Sequence, residues 1–179
     1  WPSTAAAVTL DDDSLARVRA AAARRAAGAP LAYAVRSAPF RHLSLYVDER
    51  VLIPRPETEY LIDLVLATPQ GQAGGVAVDI GTGSGAIALA LASEGSFARV
   101  IATDISGDAL VVARGNAARL APVLRCPVDF RAGDALSPLG DLADSVDVLV
   151  SNPPYIAFAE TAQLPSSVRD WEPPQALVC

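Results

Sequence analysis

The stretch from Val76 to Gly85 reads VAVDIGTGSG and is the strongest structural signal in the chain. Its first five residues are apolar apart from Asp79, which is typical of a short buried strand, and the glycines that follow predict a tight turn. A turn of this kind opens a helix, here at Ala86. Glycines let a ligand approach the backbone closely, and ligands of parallel sheets bind at the carboxyl ends of the strands.

This turn supplies the first candidate ligand-binding residues. Asp79 precedes it, where its carboxylate can accept a hydrogen bond from a ligand ammonium or a bound water. The glycines are spaced Gly-x-Gly-x-Gly rather than Gly-x-Gly-x-x-Gly, the spacing of dinucleotide sites. The candidates are Asp79, Gly81, Thr82, Gly83, Ser84 and Gly85.

Downstream, the alternation of strand and helix continues. Such alternation predicts βαβ units and therefore an α/β fold with a parallel, doubly wound sheet. The predicted strands are 76–80, 100–103, 128–131 and 146–151, and the predicted helices between them are 86–93 and 106–120.

Upstream of the first of these strands the pattern is different. Acidic residues at Asp11 to Asp13 and an Ala/Arg-rich body predict a helix as far as Ala27, whose arginines we interpret as a solvated face. Between Phe40 and Ile53, apolar residues alternate around Asp48-Glu49-Arg50, which predicts a β-hairpin with a polar turn. Two prolines in the segment 54–59 are typical of a helix start.

Two later positions extend the candidate ligand site. Asp104 ends the second strand, where a carboxylate in a doubly wound fold accepts hydrogen bonds from ribose hydroxyls. The alternative is that Asp104 only caps the next helix together with Ser106. After the third strand, Asp134 and the main chain of Ala135 can line an adenine pocket, although Gly-Asp is also ordinary turn chemistry.

The motif Ser151-Asn152-Pro153-Pro154-Tyr155 follows the fourth strand directly. Prolines restrict the backbone, so that Asn152 and Pro153 offer acceptors to the two N–H groups of a planar nitrogen. Such bonds orient the nitrogen and stabilise positive charge as a methyl group arrives, and the ring of Tyr155 can pack against the planar group. The alternative is a Pro-rich turn that closes a strand.

Composition narrows the function classes. The chain has 179 residues and a formal net charge of -6, which argues against a broad nucleic-acid interface. Its two cysteines have no metal or disulfide spacing, and we expect no metal. No signal-peptide pattern or membrane-spanning run is evident, so we expect a cytoplasmic protein without membrane contact.

The glycine turn, Asp104 and Asn-Pro-Pro-Tyr in this order resemble class I S-adenosylmethionine methyltransferases that act on amino or amide nitrogen. Within that class, the segments 28–33, 52–59, 86–89 and 168–173 are similar to the HemK/PrmC family of release-factor glutamine N5-methyltransferases. The resemblance runs from about Arg24 to the last residue. One departure is Arg36, which stands where relatives usually carry glycine.

The resemblance implies methyl transfer from S-adenosylmethionine to the glutamine amide in the Gly-Gly-Gln motif of bacterial class 1 peptide chain release factors, with S-adenosylhomocysteine as product. It implies that the turn 81–85, Asp104 and Ala135 hold the cofactor. It also implies that Asn152, Pro153, Pro154 and Tyr155 hold the glutamine. Of these, Asn152, Pro153 and Tyr155 are the expected catalytic residues, and Asn152 is expected to contact the cofactor as well. The segment 54–59 becomes a lid-like stretch near the cofactor, with the roles of Arg55, Glu57 and Glu59 undetermined.

The same resemblance divides the chain into three parts. We expect residues 1–38 to be the remnant of an N-terminal helical domain with its linker, and residues 39–54 to be a β-hairpin linker. Residues 55–179 are then a class I methyltransferase domain that is incomplete at its C-terminal end.

Other acceptors stay open. Asn-Pro-Pro-Tyr suits the exocyclic amine of adenine equally well, so N6-adenine methylation of DNA or RNA is one alternative, against which the acidic charge weighs. Glutamine on ribosomal protein L3 is another. A non-enzymatic nucleotide-binding scaffold predicts loss of Asn152 or of the glycines, and all are present.

Overall fold

The computed structural model describes residues 11–142 and 145–179. The first ten residues of the predicted N-terminal remnant therefore lie outside the described part. The helices are α1 (Asp12–Ala26), α2 (Leu31–Val35), α3 (Glu59–Leu66), α4 (Ala86–Glu94), α5 (Gly107–Leu120) and α6 (Ser166–Arg169). The strands are β1 (Ala38–Phe40), β2 (Leu43–Leu45), β3 (Val76–Ile80), β4 (Arg99–Asp104), β5 (Val128–Ala132) and β6 (Val148–Ser151).

The predicted parallel sheet is confirmed, with strand order β5-β4-β3-β6. The chain proceeds outward from β3 through β4 to β5 and then returns to pair β6 with the other side of β3. The strand order therefore reverses between β3 and β6. In open α/β sheets, ligands bind at such a reversal, outside the carboxyl ends of the strands.

Each face of the sheet has its own apolar cover. On one face, α4 packs against Ala77, Val100 and Phe130, and every residue of α4 from Ala86 to Ser93 is buried. A helix that is apolar all round suits such a position. On the other face, Leu139 and Leu142 of the β5–β6 connection pack on Val78 and Ile101, and these four residues form a smaller core.

The predicted hairpin is wrong in its position. The antiparallel pair is β1 with β2, and the segment 46–55 has no partner strand. A turn does exist at Asp48, whose C=O accepts from the N–H of Val51 at 3.1 Å, but it does not join two strands. The reason is that the side chain of Asn116 accepts from the N–H of Tyr46 at 2.7 Å and donates to its C=O at 2.9 Å, replacing a ladder partner.

The N-terminal helix is confirmed over Asp12–Ala26, with Asp11 as its cap, and none of its residues is buried. Its arginine face is not wholly solvated, because Arg24 pairs with Glu49. Arg36 ends α2 with φ of 57°, in the left-handed region that favours glycine. No helix in the described part is long and apolar enough to cross a membrane.

Candidate active site

The carboxyl ends of β3 and β6 bring the two predicted motifs together. Ile80 and Ser151 are register partners, and the Ser151 hydroxyl donates to the Ile80 carbonyl at 2.9 Å. The glycine turn that follows Ile80 and Asn152, which follows Ser151, therefore begin side by side at the reversal of strand order.

A cleft of about 310 Å³ opens at this point, within the usual size range of small-molecule sites. We call it the large cleft, to distinguish it from two smaller clefts beside it. Among its lining residues are three that were not candidates from the sequence, namely Arg50 and Val51 of the linker and Ile105 after β4. The predicted residues that line it are Gly81, Gly83, Asp104, Asp134, Ala135, Asn152, Pro153 and Pro154.

Two glycines of the turn leave open space toward a ligand. Gly81 and Gly83 have φ of 72° and 55°, and a Cβ added to either would meet no atom within 4 Å. Gly85 differs, because a Cβ there would stand 3.1 Å from Cδ1 of Leu89. The first two glycines thus permit close approach of a ligand, whereas the third permits α4 to pack tightly.

Asp104 organises the turn from the neighbouring strand. Its Oδ2 accepts from the N–H of Gly83 at 2.8 Å and its Oδ1 from the N–H of Ser106 at 2.9 Å. The helix cap itself is Ser106, whose Oγ accepts from the N–H of Ala109 at 3.2 Å. Each carboxylate oxygen keeps a further lone pair, so Asp104 can also accept from ligand hydroxyls.

Asp79 lies behind the turn and does not line the cleft. It is fully buried, and its Oδ2 accepts from the Thr82 hydroxyl at 2.6 Å and from the N–H of Ala88 at 3.2 Å. Burial raises the pKa of this carboxyl to about 7, and the two hydrogen bonds act in the opposite direction. The observed role is to hold the turn, and the predicted ligand contact stays a prediction.

The loop after β5 also faces the cleft. Gly133 donates its N–H to the Asp104 carbonyl at 3.0 Å, and Ala135 has φ of 44°. A left-handed alanine is uncommon, and strained backbone of this kind concentrates at functional turns. Beside the loop, Thr103 is among the residues at the cleft, but its hydroxyl oxygen is buried and has no hydrogen-bond partner among the described residues.

Asn152 lines three neighbouring clefts, as does Leu52. A small cleft of about 50 Å³ contains Thr82, Ser84 and Thr58, and the Asn152 Nδ2 donates to the Thr58 hydroxyl at 3.2 Å. The third cleft, of about 140 Å³, contains Tyr155. Its other walls are mostly apolar, from Leu52, Pro153, Ile156, Leu164, Val168, Ala176 and Leu177.

We call Asn152–Tyr155 the acceptor clamp, after the role that the sequence predicts for it. Tyr155 is 72% exposed, so its ring stands at the mouth of the third cleft, free to be covered by an incoming group. Pro153 lines both the large cleft and the third cleft, and Pro154 lines the large one. The clamp therefore borders both the large cleft and the third cleft.

Two segments that the sequence could not connect are joined by an ion pair. Arg55 donates to both carboxylate oxygens of Glu172, at 2.8 and 2.9 Å, and Glu172 also accepts from the N–H of Ile53 at 3.3 Å. Burial raises the pKa of Glu172, while Arg55 lowers it. This pair binds the segment 51–55 to the C-terminal segment, so that both close over the clefts.

The two acidic residues of the segment 54–59, Glu57 and Glu59, take no part in this ion pair. Glu59 accepts from the N–H of Arg41 at 2.8 Å, while Glu57 is exposed. Thr58, whose hydroxyl bonds to Asn152, was not among the predicted site residues. The only sequence signal for it is its position in this Pro-rich stretch. Within the described part, no group of three or more His, Cys, Asp or Glu side chains could hold a metal ion.

A family model described as the methyltransferase small domain matches residues 58–165. Two curated relatives are named release factor glutamine methyltransferase. That of Lactococcus lactis is 47% identical over 148 residues, covering 83% of this chain and 52% of the relative. That of Aliivibrio fischeri is 41% identical over 180 residues, covering 99% of this chain and 59% of the relative. The chain thus spans just over half the length of these relatives.

Among solved structures, the hMettl16 catalytic domain in complex with MAT2A 3′UTR hairpin 6 matches with a TM-score of 0.59. The identity is 20%, and the match covers 97% of this chain and 59% of that one. A likeness at this identity shows the fold alone, which is the α/β fold expected from the sequence.

Proposed function

This chain belongs to the methyltransferase small domain family, and from that premise we propose that it methylates the side-chain amide of a glutamine, using S-adenosylmethionine. The observation that carries the proposal is the position of Asn152, where the cofactor-sized cleft meets a mostly apolar one. The names of the relatives support the same acceptor, at 41% to 47% identity.

The large cleft suits S-adenosylmethionine. The open space beside Gly81 and Gly83 would take a ligand lying on the backbone. Asp104 would accept from the ribose hydroxyls, and Asp134 with Ala135 would border the adenine. The bound cofactor would supply an electrophilic methyl group on a sulfonium.

The acceptor clamp would then act on the amide nitrogen of glutamine. That nitrogen is planar and weakly nucleophilic because its lone pair is delocalised. The Asn152 Oδ1 and the Pro153 carbonyl would accept its two N–H groups, orient it and stabilise the positive charge that develops as the N–C bond forms. The bond from the methyl carbon to the cofactor sulfur would break as this bond forms, leaving S-adenosylhomocysteine. The nitrogen would then lose a proton to water, so no strong base is required.

The third cleft favours glutamine as the acceptor. Its mostly apolar walls suit the methylene stem of a glutamine side chain, with Tyr155 at the entrance packing against the amide plane. We propose the Gly-Gly-Gln motif of bacterial class 1 release factors as the source, and therefore a cytoplasmic reaction. The formal net charge of -6 supports a protein acceptor over nucleic acid.

The test is incubation with labelled S-adenosylmethionine and a purified class 1 release factor, beside a release factor whose motif is Gly-Gly-Glu. We expect label on the first protein and none on the second. Parallel reactions contain ribosomal protein L3, RNA or DNA. Label on the Gly-Gly-Glu protein, or only on one of these other acceptors, would refute the proposed substrate.

A further inference from the structure

The hydroxyl of Thr58 does not serve its own helix. Thr58 ends a single 3-10 turn, Pro56–Thr58, that runs directly into α3, and its φ of -70° and ψ of -21° are helical rather than those of a capping residue. Its side chain accordingly makes no capping hydrogen bond. Its Oγ1 instead accepts from the Asn152 Nδ2 at 3.2 Å, across 94 positions of sequence. The hydroxyl is thus used by the acceptor clamp.

The segment that carries Thr58 is held on both sides. Arg55 is bound to the buried Glu172, and Glu59 accepts from the N–H of Arg41. Pro54 and Pro56 restrict φ between these anchors. Thr58 itself is 9% exposed. The hydroxyl therefore stands at a fixed place, which is what preorganisation of a site requires.

The direction of the bond matters for the chemistry. An asparagine amide has one acceptor oxygen and one donor nitrogen, and the nitrogen of Asn152 donates to the Thr58 hydroxyl. No hydrogen bond within residues 11–142 and 145–179 uses the Asn152 Oδ1. An incoming amide nitrogen brings only N–H donors, so it needs that oxygen. If the Asn152 amide made a half-turn, Nδ2 would face the incoming nitrogen and two sets of N–H donors would oppose each other there.

We propose that Thr58 is a positioning residue whose hydroxyl holds the Asn152 amide with Oδ1 available to the acceptor nitrogen. The inference rests on the proposed function, because it assigns the acceptor as a donor of hydrogen bonds. It deepens that function by giving the segment 54–59 a role in acceptor chemistry as well as in closing the clefts.

The kinetic test is Thr58→Val, which keeps the shape and removes the hydroxyl. Loss of one oriented hydrogen bond predicts a kcat lower by roughly fivefold to tenfold, because the bonds to the acceptor strengthen as charge develops. The Kd for S-adenosylhomocysteine and the Tm should be near those of the wild type. Thr58→Ser restores the hydroxyl and should recover most of kcat.

Thr68→Val is the matched control. The Thr68 hydroxyl donates to the Val65 carbonyl at 2.7 Å and accepts from the N–H of Gly71 at 3.1 Å, outside the three clefts. We expect its kcat within about twofold of the wild type, since this bond does not touch the site. An equal loss of kcat in Thr68→Val and Thr58→Val would overturn the positioning role of Thr58. So would a Thr58→Ser variant that does not recover kcat.

A second readout does not depend on the acceptor. In NMR spectra of the free protein, the side-chain amide of Asn152 is identified by its absence from Asn152→Ala. We expect its solvent exchange to be severalfold faster in Thr58→Val and unaltered in Thr68→Val. A wild-type protein that leaves the release factor unlabelled would refute the proposed function. Unaltered exchange in Thr58→Val would refute the Thr58 bond itself.

Discussion

Asn152 borders all three clefts, and its amide is the group that we place against the acceptor nitrogen. Asn152→Ala removes that contact and leaves Gly81, Gly83 and Asp104 in place. We therefore expect methyl transfer to fall by at least about a hundredfold, as for loss of one preorganised polar group at a reacting centre. The Kd for S-adenosylhomocysteine, measured by calorimetry, should change by less than about threefold. Near-normal turnover would contradict the clamp.

Asp79 makes the stability of the protein depend on pH. Its pKa is about 7 in the folded state and near 3.8 in the unfolded state. Between these values the folded state holds a proton that the unfolded state has lost. The contribution of Asp79 to stability is therefore fully present below about pH 4, and it is lost as the pH rises through 7.

The corresponding prediction concerns Asp79→Asn. The wild-type free energy of unfolding should include a decline from this group of up to about 1.4 kcal/mol per pH unit between pH 4 and 7. The variant should lack that decline. Urea unfolding at pH 5, 6, 7 and 8 measures the difference between the two proteins, and parallel curves would show that burial does not perturb Asp79.

At the scale of elements, the glycine that directly precedes α4 and a glycine inside α5 are of opposite kinds. Gly85 has φ of 85° and a crowded Cβ position, so Gly85→Ala should destabilise the protein by about 1–2 kcal/mol. Gly115 lies inside α5, where an added Cβ meets nothing within 4 Å. Gly115→Ala should stabilise by about 0.5–1 kcal/mol.

Urea unfolding of both glycine variants gives the comparison. The difference in sign is the informative result, because the two substitutions add the same methyl group to helices of the same domain. A stabilising effect of Gly85→Ala would mean that the start of α4 does not need a left-handed residue.

At the scale of the whole molecule, the Arg55–Glu172 pair joins the linker to the C-terminal segment. The side chain of Glu172 is 1% exposed and that of Arg55 is 30% exposed. Removing the cation leaves a buried carboxylate unpaired. Arg55→Met should therefore destabilise the protein by about 3 kcal/mol at pH 8.

The pH dependence of this loss has a definite sign. Without Arg55 the pKa of Glu172 rises further, so lowering the pH from 8 to 5 protonates more of this carboxyl. The loss of stability in Arg55→Met is therefore smaller at pH 5 than at pH 8. Arg169→Met, which breaks the exposed pair with Asp170, is the control and should cost less than about 0.5 kcal/mol. Chemical unfolding at pH 5 and pH 8 measures the free energy of unfolding of both variants. An equal loss of stability for Arg55→Met at the two pH values would contradict the burial argument.

The order of strands and helices and the main site motifs could be predicted from the sequence because their signals are local. The buried strand before Gly81, the restricted backbone at Pro153 and the carboxylate at the end of β4 each depend on a few adjacent residues. The hairpin prediction failed for the opposite reason. Alternating apolar residues indicate burial, but the side chain of Asn116, not a second strand, satisfies the backbone of Tyr46.

Only the folded chain brings Thr58 to Asn152 and Arg55 to Glu172, across 94 and 117 positions of sequence. It likewise places the Asp79 carboxylate behind the turn, where burial perturbs its pKa, and not in the wall of the cleft. Residue types and spacing limit which bonds a side chain can make. Which partner it meets depends on how strands and loops from distant parts of the chain converge at the reversal of strand order, and no local pattern encodes that convergence.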